Sequence, residues 1–307
     1  MSCCIVLAVD QKYVRQACVT IASYALSNPV DRFEIYVLVW QINQEGIALL
    51  QKTGAAFGMQ LHIVNVDMQW TDKLPESFRA GMKHVSPMTY SKFIAMEYIP
   101  QHFLRCLMLD CDLLVIDEIK SLDSIYMEEF AIGAVQDFML PETSGKRLGL
   151  HNPESYFNCG VLLVDTEKWK TKTPLLKMPS VAAEYSQRIC YGDQDLLNLI
   201  FQKSYFALDF KYNHMLMVSL DGNIPNRRLQ GQKPSILHFP GQIKPWHEYA
   251  PSNLQATYFK YASLCNWIGM GILTPESLEE NSLAAMLSKK LGNFQLHAKY
   301  TNKLNLS

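Results

Sequence analysis

The stretch Leu107-Met108-Leu109-Asp110-Cys111-Asp112-Leu113-Leu114-Val115-Ile116-Asp117 is apolar almost throughout. That pattern fits a strand buried on both faces in a parallel sheet. Two carboxylates interrupt it. With a side-chain period of two, Asp110 and Asp112 project to one side of the strand and Cys111 to the other. Unpaired carboxylates in an apolar setting cost several kcal/mol each unless something compensates them. A divalent cation compensates both at once, and oxygen donors suit Mg²⁺ or Mn²⁺ better than zinc. On this stretch alone a second reading stays open, in which the strand ends here and both Asp are solvated turn residues.

The flanking sequence supports a sheet around that run. Cys3 to Val9 is a buried strand ending at Asp10, and a helical pattern follows from Tyr13 to about Ser27 on Val14, Ala17, Cys18, Ile21, Ala22 and Ala25. Phe33 to Val39 is the next strand, Ile47 to Ala55 the next helix, and Leu61 to Val66 a third strand. This β-α-β-α-β alternation predicts a doubly wound parallel sheet, which binds ligands outside the carboxyl ends of its strands. No G-x-G-x-x-G follows the first strand and no Walker-type glycine loop occurs, so a nucleotide would be held in another way.

Tyr90 to about Tyr98 reads as a helix leading into the central run, and Phe130 to Val135 as a short strand with Gln136 and Asp137 past its end. Pro141 to Pro153, polar with two Gly and two Pro, is long enough for a mobile loop. Tyr156 to Asp165 is another buried strand. Gly192-Asp193-Gln194-Asp195 opens an apolar-periodic helix (Leu196, Leu197, Leu199, Ile200), which sets its acids at the positive N-terminal end.

Composition narrows the class. The chain of 307 residues is 49% hydrophobic and 19% charged, which fits a globular enzyme with a sizeable core. A formal net charge of -1 gives no reason to expect nucleic acid. The eight cysteines show no C-x-x-C pair and several sit in apolar runs, as reduced core thiols of a cytoplasmic protein do. The strand pattern begins at Cys3 with no basic segment before it, so no cleavable leader is expected, and no apolar stretch approaches the ~20 residues that span a bilayer. The expected division is a catalytic domain over 1–250 and a C-terminal helical extension over 251–307. In the latter, Ser277-Leu278-Glu279-Glu280 has the form of a capping box, followed by Leu283, Met286, Leu287 and Leu291 at helical spacing. Beyond Glu280 there is no acid, but Lys289, Lys290, Lys299 and Lys303 are present. This tail is either a solvated helix packed on the main domain or a basic amphipathic segment lying on an anionic membrane.

Several segments, in order, resemble the family 8 retaining glycosyltransferases, built on the nucleotide-sugar-binding fold called GT-A. The resemblance is greatest to bacterial lipooligosaccharide α-galactosyltransferases, with glycogenin a distant relative, and it runs from Ile5 to about Trp246. It implies that Ala8-Val9-Asp10 and Tyr13 hold uracil and ribose. Tyr90-Ser91-Lys92 stands where the family usually has Tyr-x-Arg against the donor, so Lys92 loses a bidentate fork. The resemblance makes Asp110-Cys111-Asp112 the metal-binding Asp-x-Asp, with Asp110 and Cys111 also at the donor, and His238 the third metal ligand. It assigns Asp137, Asn158-Cys159-Gly160 and Asp193-Gln194-Asp195 to the sugar-contacting and catalytic segment. Gly241 and Lys244 fall in its diphosphate loop. The implied fold is α/β of GT-A type, a Rossmann-like, mostly parallel sheet with helices on both faces plus a C-terminal helical tail. The implied ligands are Mn²⁺ or Mg²⁺, a UDP-hexose (galactose or glucose) and a saccharide acceptor, and the implied product is an α-linked surface glycan or lipopolysaccharide.

The chemistry asks for the same residue types. A nucleoside diphosphate leaves readily only when its developing charge is neutralised, and a metal on Asp110, Asp112 and His238 does that. An imidazole beside two carboxylates favours Mn²⁺ over Mg²⁺. Gly241 lets backbone approach the phosphates, Lys244 supplies a mobile charge, and Asn158 and Asp193 can hydrogen-bond sugar hydroxyls. The family residue facing the reacting carbon falls on Gln194, whose amide is a poor nucleophile. Asp195 points about 100° away on the same helix. Front-face attack follows, with Gln194 stabilising an oxocarbenium-like carbon while Asp137 and Asp193 position acceptor and donor.

Two rivals fit less well. An aspartyl-nucleophile phosphatase also ends a strand on Asp-x-Asp, but usually the first strand and with Thr or Val two residues on; here Leu113-Leu114 follow on a later strand. A non-catalytic sugar-nucleotide-binding protein would show broken ligands, whereas Asp110, Asp112, His238 and Lys244 are all present.

Overall fold

The computed structural model describes residues 3–268 apart from 31, 77–85, 139–142, 203, 217–232, 242 and 248–249. The expected basic tail, with Lys289, Lys290, Lys299 and Lys303, lies outside the described residues. The chain forms two compact units, Met1–Met215 with Arg227–His238, and Leu216–Asn226 with Phe239–Ser307.

In the first unit the strands are β1 (Cys3–Val9), β2 (Glu34–Val39), β3 (Leu61–Asn65), β4 (Arg105–Leu109), β5 (Leu113–Val115), β6 (Ile132–Gln136), β7 (Phe157–Asp165), β8 (Tyr205–Ala207), β9 (His214–Met215) and β10 (Ile236–His238). Seven of them make one mixed, mostly parallel sheet in the order β3-β2-β1-β4-β7-β6-β8. Only β7 is reversed: it runs antiparallel to β4 on one side and β6 on the other. Short strands β5, β10 and β9 form a second sheet. The runs of β1, β4 and β7 are apolar because both their faces are covered, and nearly every residue in them is buried.

The run from Leu107 to Asp117 is not one strand. It leaves the first sheet at Leu109, turns through Asp110, Cys111 and Asp112, and enters the second sheet at Leu113. The helix Val14–Ser27 explains how so short an edge strand survives. Its residues 16–25 are all buried, and three of its hydroxyls stand in for a neighbouring strand along β5. Thr20 Oγ1 lies 2.9 Å from Leu113 O and 3.1 Å from Cys111 O, Ser23 Oγ accepts from Val115 N at 3.0 Å, and Ser27 Oγ donates to Val115 O at 2.9 Å. A side-chain period of two therefore does not govern the two aspartates, and the Cys111 thiol is directed to Ala8 O at 3.4 Å.

Two further expectations change in detail. The helix expected over Tyr90–Tyr98 is a 3₁₀ stretch, Pro87–Phe93, followed by a short α-helix, Ala95–Tyr98. The polar segment before β7 carries a helix, Thr143–Leu148, and a 3₁₀ turn, Pro153–Ser155. Gly145 packs directly on the Pro153 backbone, which leaves no room there for a side chain.

The second unit contains the helix Ser252–Ala262 and a 3₁₀ stretch, Ser263–Ile268. Buried Trp246 packs on Tyr258 with ring centroids 5.1 Å apart.

Candidate active site

The reversed strand builds the site. Because β7 runs against its neighbours, its first residues arrive at the edge where β4 and β6 end. Gln136 pairs with Phe157, Val135 with Asn158, and Leu109 with Val161. Asp110, Asp137 and Asn158 thereby gather at one edge of the sheet. The register slips between Ala134 and Val135, a kind of irregularity that re-aims side chains beside active sites. The first turn of the helix Gly192–Ile200 adds Asp193 and Gln194.

Asp110, Asp112 and His238 each offer one ligand atom within 4.8 Å of the others. His238 Nε2 stands 3.3 Å from Asp112 Oδ1. At that separation the ring and the carboxylate can share a cation, either a proton on Nε2 or a metal ion, and one imidazole with two carboxylates suits a hard divalent ion. The residues fit the metal that the sequence implied, by a turn and a distant strand rather than by two positions on one strand.

Lys92 is the charged neighbour of this cluster. Its Nζ lies 2.8 Å from Asp110 Oδ1, 2.8 Å from Asp193 Oδ2 and 3.4 Å from Cys159 Sγ. Burial alone would pull its pKa down, but Asp110 and Asp193 outweigh that and hold the ammonium well above its ordinary range. Burial pushes the Asp193 carboxyl up, with Lys92 opposing and Asp110 adding. Where Arg would bring a planar fork, Lys92 serves as a point charge between two carboxylates.

Beside it is a knot of amides. Asn158 Nδ2 donates to Asp137 Oδ2 at 3.1 Å and to Gln194 Oε1 at 3.0 Å. Gln194 Nε2 donates to Asp137 Oδ2 at 3.0 Å, and Cys159 N donates to Gln194 Oε1 at 3.2 Å. Asp137 and Gln194, 7% and 9% exposed, are held in one geometry at the rim.

Asp195, a catalytic candidate in the sequence, is set apart from this knot. It is 0% exposed, and its oxygens accept from both Arg147 Nη atoms (3.0 and 3.1 Å), Tyr156 OH (2.6 Å), Cys190 N (2.7 Å) and Tyr191 N (2.9 Å). It caps its own helix from within the first turn and ties Thr143–Leu148 to it.

At the opposite side, Asp10 Oδ1 accepts from Lys12 N and Tyr13 N at 3.0 and 3.1 Å, and Ala8 receives the Cys111 thiol. Gly241 and Lys244 belong to the second unit, where Lys244 Nζ donates to Phe239 O at 2.6 Å and Lys244 N to His247 Nδ1 at 3.2 Å. Burial, with Lys244 adding, lowers the His247 pKa to about 4.

Three contributors escaped the sequence reading. Asn213, which lies 2.8 Å from Asn158 Oδ1 and 2.9 Å from His238 Nδ1, and Arg147 sit in segments without periodicity. Gly160 belonged to a recognised triplet but had no role: a Cβ there would lie 2.8 Å from both His238 ring nitrogens and closer still to Cε1.

The sequence profile described as Glycosyl transferase family 8 matches residues 4–250. Glycosyltransferase GlyF of Streptococcus pneumoniae serotype 4 is 31% identical over 261 residues, covering 85% of this chain and 61% of that protein. The chain thus spans less than two thirds of this relative's length. Lipopolysaccharide 1,3-galactosyltransferase of Salmonella typhimurium is 24% identical over 291 residues, 92% of this chain and 84% of that one. A crystal structure of galactosyltransferase LgtC with donor and acceptor sugar analogs matches with a TM-score of 0.73 over 87% of this chain and 96% of that chain, at 23% identity. The mostly parallel mixed sheet is therefore a shared fold.

Proposed function

We propose that this chain, which belongs to glycosyl transferase family 8, is a metal-dependent retaining hexosyltransferase. It moves galactose or glucose from a UDP-sugar to a saccharide acceptor with an α-linkage, in cytoplasmic synthesis of a surface glycan or lipopolysaccharide. The observation that carries this reading is the gathering of Asp110, Asp112 and His238 beside Lys92–Asp193 and the Asp137–Asn158–Gln194 knot, all in one unit. Mn²⁺ or Mg²⁺ on the first three would neutralise the diphosphate leaving group. Lys92 keeps Asp193 in place to hydrogen-bond the donor hexose, and Asp137 orients the acceptor. Gln194, fixed by Asn158 and Asp137, turns its amide dipole to the oxocarbenium-like carbon while the acceptor hydroxyl attacks from the side the diphosphate leaves. A diphosphate oxygen takes the proton. Five hydrogen bonds engage Asp195, which supports front-face attack over a covalent intermediate on that carboxylate.

Among the described residues no helix is long and apolar enough to cross a membrane. The basic tail beyond Glu280 gives the protein a peripheral hold on an anionic surface. The test is a screen of UDP-galactose and UDP-glucose with Mn²⁺ and glycan acceptors, reading UDP release and the anomeric configuration of the product. A β-linked product overturns retention. Phosphate release from an aryl phosphate, with no UDP-sugar turnover, overturns the reading as a whole.

A further inference from the structure

We infer that Asn213 is a positioning residue: it fixes the tautomer of His238 and ties that ring to the amides around Gln194. The polarity of the whole chain of hydrogen bonds can be read from one fixed point. The backbone N–H of Gly160, which can only donate, lies 3.0 Å from Asn158 Oδ1. The other end of that amide is then Nδ2, in keeping with its acceptors, Asp137 Oδ2 and Gln194 Oε1. Asn213 meets the same Asn158 Oδ1 at 2.8 Å, so the atom it offers is its own Nδ2. Its remaining end, Oδ1, faces His238 Nδ1 at 2.9 Å. An amide oxygen only accepts, so Nδ1 carries the proton. In the neutral form of the ring, Nε2 is then the nitrogen with the lone pair, on the side where Asp112 Oδ1 stands.

Burial makes this assignment hold, since Asn213 is 0% and His238 2% exposed. Metal-binding histidines are commonly oriented by a partner on their other nitrogen, whose loss weakens metal binding about 10–100-fold. Asn213 supplies that partner here, from the 3₁₀ turn Phe210–Asn213 just before β9. It does more than orient one ring. Through Asn158 it joins His238 to Gln194 and Asp137, so displacing the ring disturbs the residues around the reacting carbon. The affinity arm of the test rests on the metal reading given above; the tautomer arm does not.

The first measurement is a ring ¹⁵N–¹H correlation spectrum of metal-free, full-length, histidine-labelled protein, with His238 assigned through His238→Gln. The expected pattern has the proton on Nδ1. A proton on Nε2 in the neutral ring overturns the inference whatever the metal does. The second is a Mn²⁺ titration by electron paramagnetic resonance of the unmutated protein, Asn213→Leu and Asn213→Asp. Asn213→Leu removes both hydrogen bonds at similar volume and should bind Mn²⁺ about 10–100-fold more weakly. Asn213→Asp keeps an acceptor for Nδ1 and should fall between the two. Equal Mn²⁺ affinity in all three folded proteins overturns the positioning role. Should the unmutated protein bind no Mn²⁺ while showing the Nδ1 tautomer, the metal reading fails and the tautomer assignment stands.

Discussion

Gly160→Ala puts one methyl group against the His238 ring. That methyl would lie 2.8 Å from Nδ1 and Nε2 and closer to Cε1. Such contacts settle near ~3.5 Å, so strand and ring must part by ~1 Å. The strand is the less able to give, because β7 lies between β4 and β6 in the sheet, with Gly160 O accepting from Asp110 N at 2.9 Å and Gly160 N donating to Asn158 at 3.0 Å. The ring moves instead. A shift of that size stretches the 2.9 Å bond between Nδ1 and Asn213 beyond useful length and withdraws Nε2 from the carboxylates. Overpacking should cost about 1–3 kcal/mol of stability. Turnover should suffer more, about 10²-fold, because the ring proposed as a metal ligand is misplaced by ~1 Å. Urea unfolding and Mn²⁺-dependent UDP release, measured side by side well below the melting temperature, separate the two effects. Full turnover with unchanged Mn²⁺ affinity in Gly160→Ala would refute this reasoning.

Other outcomes follow from the same geometry. Gln194→Ala should bind UDP-sugar almost normally yet lose kcat, as steady-state kinetics with separate binding measurements will read. Asp195→Asn should instead lose about 3 kcal/mol in equilibrium unfolding, since it breaks a largely buried pair with Arg147, while the folded fraction keeps more kcat than Gln194→Ala. His247 has a folded pKa of about 4 against an ordinary 6.5, so its unfolded form binds the extra proton. The stability it confers is present above pH 6.5 and lost as pH falls towards 4, by up to about 3 kcal/mol, and His247→Gln should flatten that slope in pH-dependent unfolding. A chain ending near Glu280 should lose binding to anionic vesicles at low salt and keep UDP-sugar hydrolysis; sedimentation with vesicles of mixed anionic and neutral lipid checks this.

Much of the first sheet is legible because its strands are covered on both faces and read as plain apolar runs. Direction and partnership are not legible, since they are settled by residues far apart. Nothing in Phe157–Asp165 says that it runs antiparallel, yet that reversal is what delivers Asn158 and Gly160 to the site. The Asp110–Asp112 stretch is open to two readings, and the structure shows the turn of the one together with the histidine neighbour that the other needs. The aspartates are turn residues locally, but the turn carries them to His238, which arrives on β10. The run misled about a single strand because β5 is apolar too, and its membership of another sheet depends on pairing with β10 and on helix hydroxyls. Asn213 gave no signal at all. Its partners are 55 and 25 positions away, and an Asn in a short turn looks like any other. Asp195 could be ranked below Gln194 from helical geometry, but its clamp on Arg147, 48 positions distant, belongs to the fold.

The measurement that bears most directly on the proposed chemistry is UDP release from a UDP-hexose, followed first in excess EDTA and then with Mn²⁺ restored, in the unmutated protein and in Asp112→Asn. Asp110, Asp112 and His238 acting on one ion predict that EDTA abolishes release, that Mn²⁺ restores it in the unmutated protein, and that Asp112→Asn stays largely inactive at the same Mn²⁺ concentration. Undiminished release in EDTA, or equal recovery in Asp112→Asn, would contradict it.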